Sequence, residues 1–398
     1  MKAIGIDIGT AFIAGAKYHK DNISAKYVRN GFFTMPYLKQ RELMLKSSKV
    51  PFIVKDRPNV AGKQDIYVLG NEAFDMAVLF GQTLRRPMSS GVISASEKDT
   101  EFILKEIIRR VANQGETGDV AYYSVPANPV DQDFNIIYHR EMFKRFLADL
   151  GYNAIPLNEG MAVAYSELAD KDLTGICISF GAGMANVAMS YKGLEIFSFS
   201  VARAGDWIDD QVAKSRGISG ADATAEKENN ELDLLSPQND IQEAITIFYK
   251  AMLEYVIGHI STALEEHRRK IKLKEALSFV VAGGTTMPKN FLRLLANALK
   301  ENPLPLPVGK VWLAKNPVMA VCRGCLRAAQ TDLADENNDG VKDISDGQNK
   351  KHAYPKAPKE EAPKDKTPKE VRKDEERAEV MNQGAGGFAE AIDLTMET

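Results

Sequence analysis

The chain is poor in the features that would place it outside a reducing, aqueous compartment. Only 3 of its 398 residues are cysteine, Cys177, Cys322 and Cys325, too few for a disulfide framework. Cys322 and Cys325 form a C-x-x-C pair, but in an Ala/Leu-rich helical stretch without a thioredoxin-like context, so both read as small packing residues. No apolar run approaches the ~18 residues of a membrane span. Met1 leads straight into the first β pattern, so neither a signal peptide nor an N-terminal membrane anchor is expected. Excess positive charge is also missing. The formal net charge is -3, which argues against a nucleic-acid-binding surface. These absences leave the cytoplasm as the expected location, with no integral membrane segment.

What is present is a large apolar share, 44% of the chain, enough to bury one large core or two medium ones. The opening stretch Ala3-Ile4-Gly5-Ile6-Asp7-Ile8-Gly9-Thr10-Ala11 is an apolar run ending in an acid, a glycine and a threonine. A second apolar run with Phe12 and Ile13 follows, so the segment predicts two strands joined by a tight turn. Gly9 lets backbone approach a ligand, and Thr10 offers a hydroxyl and an N–H to phosphate oxygens. Asp7, at the strand end, is placed to hold magnesium through water. The same Asp-x-Gly-Thr pattern also builds structural hairpins in which the acid only braces the turn, and the rest of the chain must decide between the two.

Residues 22–70 alternate β-rich runs (Val50–Val54, Ile66–Gly70) with polar loops, predicting a small β-rich insertion. An amphipathic helix follows, with Phe102, Ile103, Ile107, Ile108 and Val111 on one face. Strand patterns at Ala121–Pro126 and Ala154–Leu157 alternate with helices at Arg140–Leu150 and Gly160–Ser166. A second cycle begins at Gly175. Ile176–Phe180 runs into Gly181-Ala182-Gly183, a returning strand spans Asn186–Ser190, a third Phe197–Val201, and Gly205-Asp206 opens a helix through Val212. Two βββα units, each starting with a glycine turn, imply two facing lobes with a cleft between the turns. Residues 221–235 and 241–268 read as helices, Leu277–Ala282 as a strand ending in Gly283-Gly284, Lys289–Lys300 as a helix and Val311–Leu313 as a strand. Asn316-Pro317 suits the start of a final helix.

Beyond Ala329 aliphatic residues thin out and Lys, Glu, Asp and Pro accumulate, predicting a solvated, disordered charged tail over 331–398. Within it Asp335, Asn337, Asp339, Asp343 and Asp346 match the oxygen-ligand spacing of a calcium loop, against which stands the lack of a second flanking helix. The last residues, Gly387 to Leu394, are mildly amphipathic and suit a short docking peptide.

Five segments in order resemble the actin-like ATPase superfamily, which also holds heat-shock chaperone ATPase domains and sugar kinases. Gly5–Thr10 looks like the first phosphate loop and Ser179–Gly183 the second. Val281–Pro288 looks like the adenosine motif, and Asn158–Ala164 and Asn316–Gly324 look like the two connecting helices. Gly70–Ala73, Arg86–Ile93, Ala204–Asp209 and Thr224–Lys227 are similar to bacterial actins of the MreB/MamK type. The resemblance covers 1–330. It implies an α/β actin-like fold of two duplicated ribonuclease-H-like lobes around a nucleotide cleft. Lobe I would span 1–155; lobe II would span 156–330, with a helical insertion at about 213–270 and a final helix 317–330 packing back on lobe I. It implies ATP (or GTP) with magnesium as cofactors. Asp7 and Glu159 would be the catalytic carboxylates, and Gly9, Thr10, Ala11, Gly181, Ala182, Gly183, Met184, Gly205 and Asp206 the phosphate side. Glu226, Lys227, Gly283, Gly284, Thr285 and Met287 would also bind the nucleotide, with Gly283 and Gly284 against the adenosine.

The departures bear on activity. Ser179 stands where the family pattern places an acid, Asn186 replaces a second, and Gly181-Ala182-Gly183-Met184 replaces Gly-Gly-Gly-Thr. A serine brings no charge to a divalent ion, and a missing water-orienting base costs ~10²–10⁴-fold in rate, so binding is better supported than turnover. The expected function is a nucleotide-dependent cytoskeletal filament whose main partner is itself. In it the regions around 30–70 and 221–300 meet at each junction, and the tail is free for a protein partner. The alternative is a monomeric chaperone-like ATPase or nucleotide switch, although the apolar linker and peptide-binding domain of the chaperones are missing. A sugar kinase would need a base and a sugar pocket for which no motif is present.

Overall fold

Two hairpins seed the architecture. The computed structural model describes residues 2–19, 22–57, 61–82, 84–268, 276–339 and 391–395. β1 (Ala3–Ile8) returns as β2 (Phe12–His19), with Ile8 opposite Ile13 and the Gly9 N–H donating to Phe12 O at 3.0 Å. β3 (Asn22–Arg29) pairs with β2 along its whole length, from His19 opposite Asn22 to Phe12 opposite Arg29. The insertion expected at 22–70 therefore begins only after β3. It holds β4 (Phe32–Pro36), α1 (Lys39–Ser47), β5 (Ile53–Asp56), β6 (Gln64–Leu69) and α2 (Asn71–Leu79), its strands ordered β4-β6-β5. A minimal hairpin, β7 (Met88–Ser89) and β8 (Val92–Ile93), precedes α3 (Thr100–Ala112), β9 (Val120–Val125), α4 (Ile137–Asp149) and β10 (Asn153–Asn158). β9 is parallel to β1 and β10 to β9, giving the order β10-β9-β1-β2-β3. Ile4, Ile6 and Ile8 bury against Ile103 and Ile107 of α3 and Phe143 and Phe146 of α4, so the helix periodicity and the strand runs meet in one core.

The second cycle repeats this order. β11 (Gly175–Phe180), β12 (Ala185–Tyr191) and β13 (Leu194–Val201) form the antiparallel meander, and β14 (Leu277–Ala282) and β15 (Val308–Leu313) add in parallel. Between them run α6 (Gly205–Arg216), α7 (Gly220–Lys227), α8 (Asp240–His267) and, after β14, α9 (Phe291–Glu301). α8 presents Ile245, Tyr249, Met252, Val256 and Ile260 to the second core. Helix does not continue to 235 as the sequence predicts; it stops at Lys227. Asn229 then turns the chain, its side-chain oxygen accepting from the Glu231 N–H at 3.0 Å, the local competition that keeps asparagine out of helix interiors.

α5 (Glu159–Glu167) follows β10, capped by the Asn158 side chain accepting from the Met161 N–H. α10 (Ala320–Asp339) follows β15 in the corresponding place. The two helices lie between the sheets, burying Ala162, Val163, Val321 and Cys325 with Cys177 and Val280. They touch backbone to backbone: a Cβ on Gly324 would lie 1.7 Å from Ala162 O. α10 also packs on β1 and β9. Cys322 and Cys325 are buried free thiols on it.

The expected tail differs from prediction at both ends. Residues 331–339 continue α10, and β16 (Ala391–Asp393) pairs antiparallel with β15, completing the order β13-β12-β11-β14-β15-β16. Asp335, Asn337 and Asp339 thus sit in the last turns of a helix, whose backbone does not wrap an ion as a calcium loop does. Asp343 and Asp346 lie outside the described residues. Among the described residues no helix is long and apolar enough to cross a membrane.

Candidate functional site

The two glycine turns face each other across one cleft of about 470 Å³. The first contributes Asp7 to Phe12 and the second Gly181 to Met184, and Gly283, Gly284, Thr285 and Met287 close one end. The turns are built alike: the Gly181 N–H donates to Met184 O at 2.9 Å, as Gly9 does to Phe12 O. They also approach each other closely. The Gly91 N–H donates to Thr10 Oγ1 at 3.1 Å, and a Cβ on Gly183 would lie 2.4 Å from both the Gly91 nitrogen and Thr10 Oγ1. Gly283 has φ +97, and a side chain there would strike Phe180 O at 2.2 Å. The end of β14 is thereby pressed against the end of β11. Thr10, Ala11, Ala182 and Gly183 line this space, and no hydrogen bond from their backbone N–H groups is found among the described residues.

Asp7 and Glu159 share the floor of the cleft. Ser124 Oγ donates to Asp7 Oδ1 at 2.9 Å and accepts from the Ile8 N–H at 2.8 Å. Burial pushes the Asp7 carboxyl up to about 6, with the Ser124 bond opposing it. Glu159 is pushed further, to about 8, first by burial and then by the charge of Asp7, against hydrogen bonds from Ser179 and Asn186. Asn186 Oδ1 accepts from the Ala127 N–H at 3.0 Å, which leaves its amide hydrogens for Glu159. Two carboxylates in one buried site hold a shared proton more easily than two charges, and a cation entering the cleft would take the proton's place. Two carboxylates do not saturate a hard divalent ion, whose other ligands would be waters and ligand oxygens. No group of three or more acidic, histidine or cysteine side chains suited to a metal exists among the described residues.

Three residues expected in the site stand behind it. Gly205 and Asp206 do not line the cleft. They form the first turn of α6, and their N–H groups donate to Gly181 O at 3.1 Å and Ala182 O at 2.8 Å, bracing the second turn from outside. Asp206 also takes an ion pair from Arg86 at 3.0 Å, joining the two lobes beside the cleft. Glu226 accepts from Gln242 Nε2 at 2.7 Å and Asn239 Nδ2 at 3.2 Å, because its face of α7 is covered by the start of α8. Its neighbour Lys227 does reach the cleft, held by Asp209 Oδ2 at 2.7 Å and Gly205 O at 2.8 Å.

Sequence reasoning missed Tyr27, Asn229, Tyr249 and Lys289, which also line the cleft. Tyr249 OH donates to Thr285 O at 3.0 Å; in the sequence it is one more apolar-face residue of a long helix. Ser124 carried a readable signal, the one serine in the otherwise aliphatic and aromatic run Val120–Val125.

The sequence family described as Volactin matches residues 1–329. The actin-like protein MamK of Paramagnetospirillum magneticum is 23% identical over 293 residues, 66% of this chain and 80% of that protein. MamK of Magnetospirillum gryphiswaldense is 23% identical over the same share of this chain and 77% of its own. Among solved structures, a MamK double helical filament superposes with a TM-score of 0.61 at 18% identity, over 82% of this chain and 98% of that one. MreB5 of Spiroplasma citri bound to AMPPNP superposes at 0.58, with 17% identity over 85% and 98%. The fold is the actin-like one.

Proposed function

The chain belongs to the Volactin family, actin-like proteins of the MreB/MamK type, and on that premise we propose that it binds ATP (or GTP) with magnesium between its lobes and assembles into a cytoskeletal filament. The observation that carries the reading is the pair of glycine turns set against each other, with Thr10, Ala11, Ala182 and Gly183 lining the cleft and their N–H groups unbonded among the described residues. Such donors suit phosphate oxygens. Gly283, Gly284 and Met287 suit the nucleoside, and Lys227 its ribose or base edge. Asp7 would hold magnesium through water, and magnesium when bound offsets phosphate charge. Hydrolysis is slow in this reading. Ser179 and Asn186 bring hydrogen bonds but no charge, and a Glu159 that keeps its proton near neutral pH is a weak base.

Assembly follows from the kinship: a MamK structure is a double helical filament, and head-to-tail contacts that do not close give filaments. The test is pelleting and negative-stain microscopy at tens of micromolar, with and without magnesium and ATP. Nucleotide-dependent filaments are expected. Protein that remains monomeric across salt and nucleotide conditions would replace this reading with a monomeric nucleotide switch.

A further inference from the structure

Among the described residues the second sheet carries a strand that has no counterpart in the first. In the first sheet β10 is the outermost strand beyond β9; in the second, β15 holds that place and is itself covered by β16. The covering strand is short and its register is defined: Lys310 faces Asp393, Val311 faces Ile392 and Trp312 faces Ala391. The Leu394 N–H adds a bond to Gly309 O at 3.1 Å. Ile392 and Leu394, two residues apart, both pack on the second core, while Asp393 takes the opposite face, across from the exposed Lys310. Asp393 Oδ1 accepts from the N–H and hydroxyl of Thr395 at 3.0 and 2.6 Å, which ends the strand. An apolar, acidic, apolar triplet meeting an open sheet edge with a lysine opposite the acid is the recognition logic of strand addition, main-chain bonds for affinity and alternate side chains for specificity.

The triplet is also a tethered ligand. Residues 340–390 separate it from the end of α10, a length that can span up to about 170 Å, against a breadth of about 50 Å for a folded chain of this size. A contact of three register pairs is small, and in an assembly an edge whose own strand had left would meet identical strands from its neighbours at comparable local concentration. We propose that the β15 edge is a strand-binding groove specific for the Ile392-Asp393-Leu394 segment, and that between assembled copies the groove is filled by the C-terminal strand of a second copy. The strand then links subunits without contributing to the principal junction. The role extends the self-assembly proposed above and rests on it for its setting, though not for its chemistry.

Disulfide trapping tests it in full-length chains. Directly opposed antiparallel residues have Cα atoms about 4.5–5.5 Å apart, within disulfide range, and the native cysteines are buried. An acceptor carrying K310C with I392D and L394D, its own strand disabled, is mixed with a D393C donor under mild oxidation. A disulfide-linked dimer is expected, at least about ten-fold above the yield from a donor that also carries I392D. Should the double-aspartate acceptor fail to fold, K310C with L394A takes its place. Absence of the dimer, alongside intrachain closure in a K310C/D393C chain, overturns the exchange between copies. Absence of both overturns the groove. The dimer in a soluble fraction that never pellets would sink the filament reading and leave the groove standing; pelleted filaments without the dimer would keep the filament reading and overturn the exchange between copies.

Discussion

The two glycine turns share one backbone and differ in charge. In each, the glycine N–H closes onto a carbonyl three residues on, Gly9 to Phe12 and Gly181 to Met184. Two residues before each glycine stand Asp7 and Ser179, in register with Ala14 and Asn186 on the returning strands. The first turn therefore brings a carboxylate and a small apolar neighbour, the second a hydroxyl and an amide. What both lobes keep is the geometry that exposes N–H donors. What only the first keeps is the negative charge a metal would meet. Ser179 and Asn186 instead donate to Glu159, a carboxyl from neither turn. In the proposed function, holding an anion and activating water would thus draw on separate features of the cleft, so that losing one would leave the other intact.

The difference can be broken most directly at Ser179. Making the turns alike with S179D should raise magnesium-dependent phosphate release by about 10²-fold, measured in single-turnover assays. The same change should lower the melting temperature of metal-free protein, because a further buried carboxylate joins Asp7 and Glu159. Unchanged turnover would show that the hydroxyl is not what limits hydrolysis.

A smaller effect is expected at Glu159. Its folded-state carboxyl titrates near 8, well above the unfolded value near 4.5. The folded chain thus holds a proton that the unfolded chain has released. This contribution is fully present below pH 4.5 and is lost as pH rises through 8. E159Q removes the titration while keeping a side chain that accepts from Ser179 and Asn186. Its stability relative to the unaltered chain should grow between pH 5 and pH 8.5 by at least about 1.4 kcal/mol, one pKa unit's worth. A flat difference across that range in urea titrations would mean that Glu159 is ionised in the folded protein.

The smallest effect probes the turns' common backbone. A Cβ on Gly9 would lie 2.7 Å from Phe12 O, one on Gly181 3.0 Å from Met184 O. G9A should therefore destabilise more than G181A, by about 1 kcal/mol, in thermal or urea unfolding. Equal losses would show that the two turns relax alike.

Much of this organisation is written locally. Gly9 and Gly181 each follow an apolar run and precede a returning one, and the periodicity of Phe102 to Val111 identifies a buried helix face. Those signals lie within one or two turns of chain, which is why both glycine turns, and most of the residues expected beside them, fall on the cleft. What could not be read depends on partners far away in sequence. β3 looks like part of an insertion until β2 is seen beside it. Glu226 and Lys227 are adjacent, and only the position of α8 decides that one faces the cleft and the other does not. Ser124 reaches Asp7 across 117 positions of sequence. The acids from Asp335 onward have a calcium loop's spacing, but spacing alone does not record that α10 runs on to Asp339. At the far end, Ile392 and Leu394 are too short a pattern to announce a strand without the edge they complete.

The contact between Gly324 and Ala162 has a mechanical consequence. The helices that follow β10 and β15 meet there with no side chain between them, so neither can slide along or lift from the other without opening a void in a closely packed layer. Were the lobes to turn relative to one another, this contact would serve as a fulcrum alongside the other joints between them, such as Asn186 Oδ1 with the Ala127 N–H. A small turn at the fulcrum becomes a larger displacement at the Arg86–Asp206 pair beside the cleft and a larger one again at the lobes' outer edges. Whatever occupies the cleft sits on the short arm of that lever, and a subunit's outer surfaces sit on the long one.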